Sequence, residues 1–139
     1  MKTIVKICII LHIFVGIGAL AGGFAAIINP YNPMGLDAAQ ALKFSPFKDF
    51  LIPGILLFTV IGLGNLFAAL AFLRNWRLKP WISGFFASAL VIWIAVQCIM
   101  LQTIVALHVI YFCIGAVQGL MALYLLYRKI PEIKFNSAI

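Results

Sequence analysis

The chain has 139 residues, of which 65% are hydrophobic and only 9% are charged. Water-soluble domains carry roughly a quarter charged residues, so a soluble fold of this composition would lack the polar surface that covers a core. The formal net charge of +7 does not indicate a nucleic-acid partner, because the cations lie between or outside apolar runs instead of among aromatic residues on one surface. The long unbroken runs favour an all-α integral membrane four-helix bundle over a β-barrel, whose strands alternate apolar and polar residues.

The first two apolar runs are each long enough to cross a membrane. Residues 7–28 are 22 positions without a formal charge, and a spanning helix needs ~20, so we expect a helix over about 4–28. A cleaved signal peptide is the alternative, but signal-peptide apolar regions are usually ~7–15 residues long. A second helix is expected over about 50–73, after Ser45-Pro46, a pair typical of an N-cap followed by proline at the first helical position.

The connection between these helices, residues 29–49, contains the turn-forming pairs Asn29-Pro30 and Asn32-Pro33. The stretch from Asp37 to Phe44 is compatible with a short helix on the membrane surface and equally with an irregular loop. The sequence leaves both alternatives open.

The remaining apolar residues form one uninterrupted stretch. Residues 81–127 are 47 positions without a formal charge, which as a single helix would be ~70 Å long, over twice the thickness of the hydrocarbon core. The stretch must therefore fold back on itself. The most polar local cluster is Leu101-Gln102-Thr103, so we predict helices over about 80–100 and 103–127 with the turn between them. The whole chain is interpreted as one transmembrane domain.

The distribution of positive charge predicts the orientation, because Lys and Arg near the ends of spans favour the cytoplasmic side. Of the ten Lys and Arg residues, eight fall on one side of a four-span chain. These eight are Lys2, Lys6, Arg74, Arg77, Lys79, Arg128, Lys129 and Lys134. Only Lys43 and Lys48 lie in the 29–49 connection. We predict that both termini are cytoplasmic and that residues 29–49 are extracytoplasmic.

Lys, Arg, Asp and Glu are absent from the interiors of the predicted spans, which argues against a proton-coupled exporter or an ion pump. The cysteines form no C-x-x-C pair, which argues against a thiol–disulfide oxidoreductase. The two histidines, His12 and His108, differ in depth by roughly 10 Å if the spans cross ~30 Å, too far for axial ligands of one haem. We therefore expect no catalytic residues, no metal and no cofactor.

Four polar residues, one on each predicted helix, are expected at a single level of the bilayer, ~12–14 Å from the cytoplasmic edge at ~1.5 Å per residue. They are His12, Asn65, Ser88 and Gln118. The two interpretations are hydrogen bonds that hold the helices together and a ligand site or pathway.

A second polar group is expected near the extracytoplasmic end. Asp49, Gln97 and His108 would converge there beneath the 29–49 connection, with Trp93 and Tyr111 on the same helical faces. The alternatives are a small ligand pocket and purely local roles, with Asp49 at a helix N-terminus. Ser88 and Gln97 are nine residues apart and point to nearly opposite sides of one helix, so one of the two predicted groups is incomplete or one residue faces a second protomer.

Small residues are concentrated on the first two predicted helices. Gly18-x-x-x-Gly22 matches the small-residue packing motif of membrane helices, and Gly62 and Gly64 lie on the second helix. We expect these two helices to approach each other closely, or one of them to face a partner.

Several short motifs occur along most of the chain: Asn29-Pro30, Gly35-Leu36, Ser45-Pro46-Phe47, Phe50-Leu51-Ile52-Pro53-Gly54, Gly62-Leu63-Gly64-Asn65-Leu66, Trp93, Gln97, Tyr111-Phe112 and Gly115. In these residues the chain resembles a group of small bacterial four-helix membrane proteins without an assigned function, and its general layout is similar to that of DoxX-like proteins. In that group Gln-Pro often precedes the Tyr-Phe pair, whereas this chain has His108-Val109. The resemblance implies the topology and a bacterial cytoplasmic membrane, and no activity.

Three functions remain as hypotheses. The first is a non-enzymatic bundle that binds a lipid or a small apolar molecule, or supports a larger membrane complex. The second is a small oligomeric transporter or channel whose path is lined by His12, Asn65 and Gln118. The third is a membrane enzyme that uses His108 and Asp49 at the outer face. The expected partners are membrane lipid and, in addition, a second copy or another membrane protein, and no nucleic acid.

Overall fold

The computed structural model describes the backbone of residues 1–137 and the side chains of residues 1–128. Over this range the chain is helical without strands, and four helices are long and apolar enough to cross a membrane. They are α1 (Lys2–Ile28), α3 (Leu51–Leu73), α4 (Lys79–Leu101) and α5 (Ala106–Ser137), with a single-turn α2 (Ala38–Ala41) in the first connection. The all-α four-helix architecture is therefore confirmed. The side chains of Lys129 and Lys134, which contribute to the predicted charge asymmetry, lie outside the described residues.

The four long helices run up and down, and each packs against its neighbours in the chain. α1 packs along the length of α3, α4 packs along α5, and looser contacts of α3 with α4 and of α5 with α1 close the ring. Residues 29–50 and 102–105 therefore share one end, called here the loop end. The first turn of α1, residues 74–79 and Arg128 share the other, called here the basic end.

Glycine allows the backbones of α1 and α3 to approach closely. A Cβ placed on Gly23 would lie 2.7 Å from the Cβ of Phe58, and one on Gly54 would lie 2.6 Å from the Cβ of Ala26. Small residues permit such approach in lipid, where packing drives helix association. The predicted close approach of the first two spans is confirmed, but Gly18 of the predicted motif faces Tyr111 of α5 instead of α3.

The first connection folds over the loop end of the bundle. Asp37 Oδ1 accepts a hydrogen bond from the Ala39 N–H at 3.1 Å and caps α2. Ala38 and Leu42 are buried against Met100 at the end of α4. Of the two alternatives for residues 37–44, the structure thus has one short helical turn inside a loop.

The predicted N-cap of the second span is wrong. Ser45 Oγ accepts from the Phe47 N–H at 3.2 Å in a local turn, and α3 begins only at Leu51. Asp49 Oδ1 accepts from the Leu51 N–H at 2.9 Å instead. Phe47 and Phe50 pack on the buried residues of the loop end, and this packing keeps residues 46–50 out of the helix.

The turn between α4 and α5 lies where the polar cluster predicted it, although no glycine is present. Gln102 takes a left-handed conformation with φ of 51°. Its Nε2 donates to the Ile99 carbonyl oxygen at 2.7 Å, which satisfies one of the free carbonyls at the helix end. The His108 Nδ1 accepts from the Val105 N–H at 3.3 Å and caps the start of α5.

The surface of the bundle is strongly apolar. Ile10 on α1, Phe85 on α4 and Leu120 on α5 are 63%, 67% and 66% exposed. Soluble monomers rarely expose continuous apolar surface of this kind, whereas hydrocarbon solvates it. The exposed faces are therefore those expected of helices that contact lipid.

Gly23→Ala should destabilise the bundle, because the new methyl group overlaps the backbone of α3. We expect a loss of about 1–3 kcal/mol of unfolding free energy, typical of overpacking, measured by reversible unfolding in detergent. Gly119→Ala is the matched control, since a Cβ there finds its nearest neighbour only at 4.0 Å. Equal stability of the two variants would show that the α1–α3 contact is looser than described.

Candidate functional site

A buried hydrogen-bonded network connects all four long helices in the half of the bundle nearest the basic end. Its members are His12, Asn65, Ser83 and Gln118, each 0% exposed. His12 Nδ1 lies 2.7 Å from Asn65 Oδ1, and His12 Nε2 lies 2.8 Å from Ser83 Oγ. The helices are thereby held by polar contacts inside an otherwise apolar interior. The term polar layer is used below for these four residues.

The hydrogen bonds of Asn65 determine the donors and acceptors in the polar layer. Its Nδ2 donates to the Ile61 carbonyl at 2.8 Å, which leaves Oδ1 to accept from His12 Nδ1–H. In the neutral ring Nε2 then accepts from the Ser83 hydroxyl. Gln118 Nε2 lies 3.1 Å from the protonated Nδ1 and 3.5 Å from Asn65 Oδ1, so it donates to Asn65. Gln118 Oε1 is enclosed and has no partner among the described residues.

The structure brings together three of the four residues predicted for this layer. The prediction that Ser88 is the fourth is wrong. Ser88 is exposed on α4, and its hydroxyl donates to the Gly84 carbonyl at 2.8 Å. Ser83 occupies the expected place. Position along a helix gives the depth of a residue in the bilayer. The rotation of the helix about its axis decides whether the side chain at that depth faces the interior.

A sequence signal for Ser83 was present in the helical periodicity. Ser83, Ala87, Leu90 and Ile94 are the buried stripe of α4, at spacings of three and four residues. Gln97 continues this stripe. Ser88 and Gln97 point to nearly opposite sides of α4, and of the two it is Gln97 that lies on the inward-facing stripe.

The second feature is a cavity of about 440 Å³ in the half of the bundle nearest the loop end, called here the loop-end cavity. All four long helices and both connections at that end contribute to its wall. The lining residues are Gly18, Ala19, Ala21, Gly22, Met34, Leu36, Leu57, Ile61, Leu90, Trp93, Ile94, Gln97, Leu101, Thr103, Val105, Leu107, His108 and Tyr111. Four of the five residues predicted for a ligand site, Trp93, Gln97, His108 and Tyr111, thus line one cavity.

Several residues that carry hydrogen-bond donors line the loop-end cavity. The Trp93 ring lines it, and its Nε1–H is enclosed without a partner among the described residues. Because His108 Nδ1 accepts from Val105, the proton of the neutral ring lies on Nε2. The Tyr111 ring stacks on Phe14 at 5.9 Å, with its hydroxyl directly over Gly18. These groups favour a ligand that carries acceptor oxygens.

The exposed residues of the cavity lining lie on α1, on α5 and in both connections. Its lining residues on α3 and α4 are buried or half-buried, whereas Ala21 on α1 and Leu107 on α5 are exposed. Met34, which is 77% exposed, lies over this side from the first connection. The exposed lining residues on these two helices are apolar, as are the outer faces of both helices.

Asp49, the fifth predicted residue, does not line the cavity. Its carboxylate caps α3, while His108 caps α5 through Nδ1. The predicted convergence of Asp49 with His108 is therefore not formed, and the local alternative describes Asp49 correctly. Within the part of the chain that the structure describes, no group of three or more His, Cys, Asp or Glu residues is placed to hold a metal ion.

An apolar layer separates the cavity from the polar layer. Along α1 the fully buried Val15 lies between His12 and the cavity, and along α4 the fully buried Ala87 lies between Ser83 and the cavity. On α5 Gly115 fills this level, packed against Leu90 and Val91. The polar layer and the cavity are consequently two distinct features.

Ser83→Ala should destabilise the protein by about 1–3 kcal/mol, because it leaves His12 Nε2 buried without its donor. Ser88→Ala, on the same helix, should change stability by less than ~0.5 kcal/mol, since its hydroxyl contacts only its own helix. Both values would be measured by unfolding in detergent. A larger effect at Ser88 would contradict the assignment.

Comparison with known proteins identifies no relative of this chain. No protein-family model, curated protein or solved structure matches the chain. The features that the chain itself presents are a buried polar layer, a loop-end cavity and an apolar surface. By its fold the chain is a four-helix bundle with four helices long and apolar enough to make it a multi-pass membrane protein.

Proposed function

We propose that this chain is a non-enzymatic membrane bundle that binds a small apolar molecule, or one chain of a lipid, in the loop-end cavity. The observation that carries the proposal is the convergence of Trp93, Gln97, His108 and Tyr111 on one cavity of about 440 Å³. Small-molecule pockets typically measure ~300–1,000 Å³ and combine apolar walls with a few polar groups. The loop-end cavity fits both criteria.

Water is a poor occupant for a cavity of this kind. At ~30 Å³ per molecule, 440 Å³ would hold roughly fifteen waters. Each buried water needs two to four polar partners, and most of the wall consists of aliphatic side chains and small residues such as Ala19, Leu57 and Leu90. An apolar ligand therefore fills the space at lower free energy than water.

The donors on the wall favour a ligand with a carbonyl, ester or hydroxyl oxygen. Trp93 Nε1–H is enclosed in an apolar surrounding without an acceptor among the described residues, and such a group costs free energy until it is bonded. Tyr111 and His108 supply further donors on the α5 side.

The exposed lining residues on α1 and α5 support uptake from the lipid phase. Ala21 and Leu107 are exposed apolar lining residues on two lipid-facing helices, so an apolar molecule would enter between α1 and α5 without crossing water. The sealed polar layer supports binding over conduction, since His12, Asn65 and Gln118 are 0% exposed and lie behind an apolar layer.

Filling the cavity should abolish ligand retention. Gly22→Leu introduces a side chain on the cavity wall, where the first added carbon meets Leu57 at 3.4 Å, an ordinary contact. After purification in mild detergent, extraction and mass spectrometry should detect an apolar molecule with the parent and at least tenfold less of it with Gly22→Leu.

Gly119→Leu is the matched control, because Gly119 lies on α5 away from the loop-end cavity. It should retain the same molecule as the parent. Equal retention by Gly22→Leu and the parent, with both folded, would exclude the cavity as the binding site.

We further propose that both termini face the cytoplasm, in the cytoplasmic membrane of a bacterium. Arg74, Arg77, Lys79 and Arg128 gather at the basic end, whereas Lys43 and Lys48 at the loop end are accompanied by two aspartates. This asymmetry supports the orientation through the preference of Lys and Arg for the cytoplasmic side. The resemblance to small bacterial four-helix proteins supports the choice of membrane.

Labelling of single cysteines in intact cells tests the orientation. Gln40→Cys, exposed at the loop end, should react with a membrane-impermeant thiol reagent, and Leu78→Cys, exposed at the basic end, should react only after the membrane is opened. The parent chain measures the background from its own cysteines. The reverse pattern would require the opposite orientation.

A further inference from the structure

A second cavity, of about 320 Å³, lies at the basic end and is lined by residues from three separated segments. These segments are the start of α1, residues 75–80 and the far end of the membrane-spanning part of α5; Arg77 and Lys79 come from the second and Arg128 from the third. Positive charge at a span end is expected from topology alone. Topology alone does not require that cations from two segments distant in the chain line one concavity.

The hydrogen bonds that the described residues make with Lys79 and Arg128 do not neutralise their charges. Lys79 Nζ donates to Asn75 Oδ1, and Arg128 Nε donates to the Tyr124 hydroxyl at 3.1 Å. Both partners are neutral. These contacts orient the cations at the cavity, and the N-terminus of α4, which begins at Lys79, adds positive potential at the same place.

The floor of this basic cavity is apolar. Val5 of α1 and Leu125 of α5 line it, with Leu125 7% exposed, and Trp76 forms part of the rim. Trp81, one turn into α4 and 65% exposed, marks the same level on the outer surface, and Trp residues concentrate at the membrane–water interface. The cavity therefore combines a cationic rim with an apolar floor at the depth of lipid headgroups.

We propose that the basic cavity binds the phosphate headgroup of one anionic phospholipid, with its acyl chains along the neighbouring apolar helix faces. Basic pockets between membrane helices recognise anionic headgroups in this way. A soluble phosphate would use the cations but not the apolar floor, which is why a lipid is the better match. The site lies at the opposite end of the bundle from the loop-end cavity and does not depend on the function proposed for it.

Native mass spectrometry of the full chain, delipidated in detergent, tests the proposal with phosphatidylglycerol and phosphatidylcholine as probes. The parent should bind phosphatidylglycerol at least ~10-fold more tightly, since each basic residue contributes about a fivefold factor. Lys79→Gln with Arg128→Gln should remove most of this preference. Lys43→Gln with Lys48→Gln removes the same charge at the loop end and should leave the preference intact.

Additional arms separate the alternatives. Lys79→Arg with Arg128→Lys keeps both charges and should keep the preference for phosphatidylglycerol. If the double Gln variant does not fold, Arg128→Gln alone serves in its place and should lower the preference roughly fivefold. An excess of inorganic phosphate should not displace the lipid. Equal binding of the two lipids, equal losses in both Gln double variants, or displacement by inorganic phosphate would each overturn the proposal.

Discussion

A histidine ring inside an apolar bundle requires a hydrogen-bond partner for each of its nitrogens, because an unsatisfied polar group in hydrocarbon surroundings costs several kcal/mol. His12 meets this requirement with Asn65 on α3 and Ser83 on α4, while Gln118 on α5 closes the network through Asn65. Each of these hydrogen bonds forms at only one rotational orientation of its helix about the helix axis. The polar layer therefore determines which face every long helix turns inward.

The helix orientations that the polar layer sets also decide which side chains face inward in the other half of the bundle. On α4 the stripe that begins at Ser83 passes through Leu90 and continues to Gln97, so the hydrogen bond to His12 also points Gln97 and its neighbour Trp93 toward the loop-end cavity. On α5, Gln118 and Tyr111 are seven residues apart and lie on one face. A structural contact in one half thus shapes the candidate binding site in the other.

The two ends of the bundle are chemically different. At the loop end, short capping interactions of Asp37 and Asp49 fold the connection over a cavity whose wall is apolar with a few donors. At the basic end, Lys79 and Arg128 surround a smaller cavity with an apolar floor. Between them the buried Val15 and Ala87 separate the two halves, and the two cavities share no lining residue.

The sequence by itself determined the four helices, their approximate limits and the turn at Gln102, because long uncharged runs admit few structures in lipid and backbone groups must be satisfied within each helix. It also identified His12, Asn65 and Gln118 as one layer, since depth follows from position along a helix. Only the tertiary structure decided that Ser83 and not Ser88 completes this layer, and that Asp49 caps α3 instead of joining His108. Rotation of helices and folding of the loop depend on contacts between segments distant in the chain, which local pattern and depth do not specify.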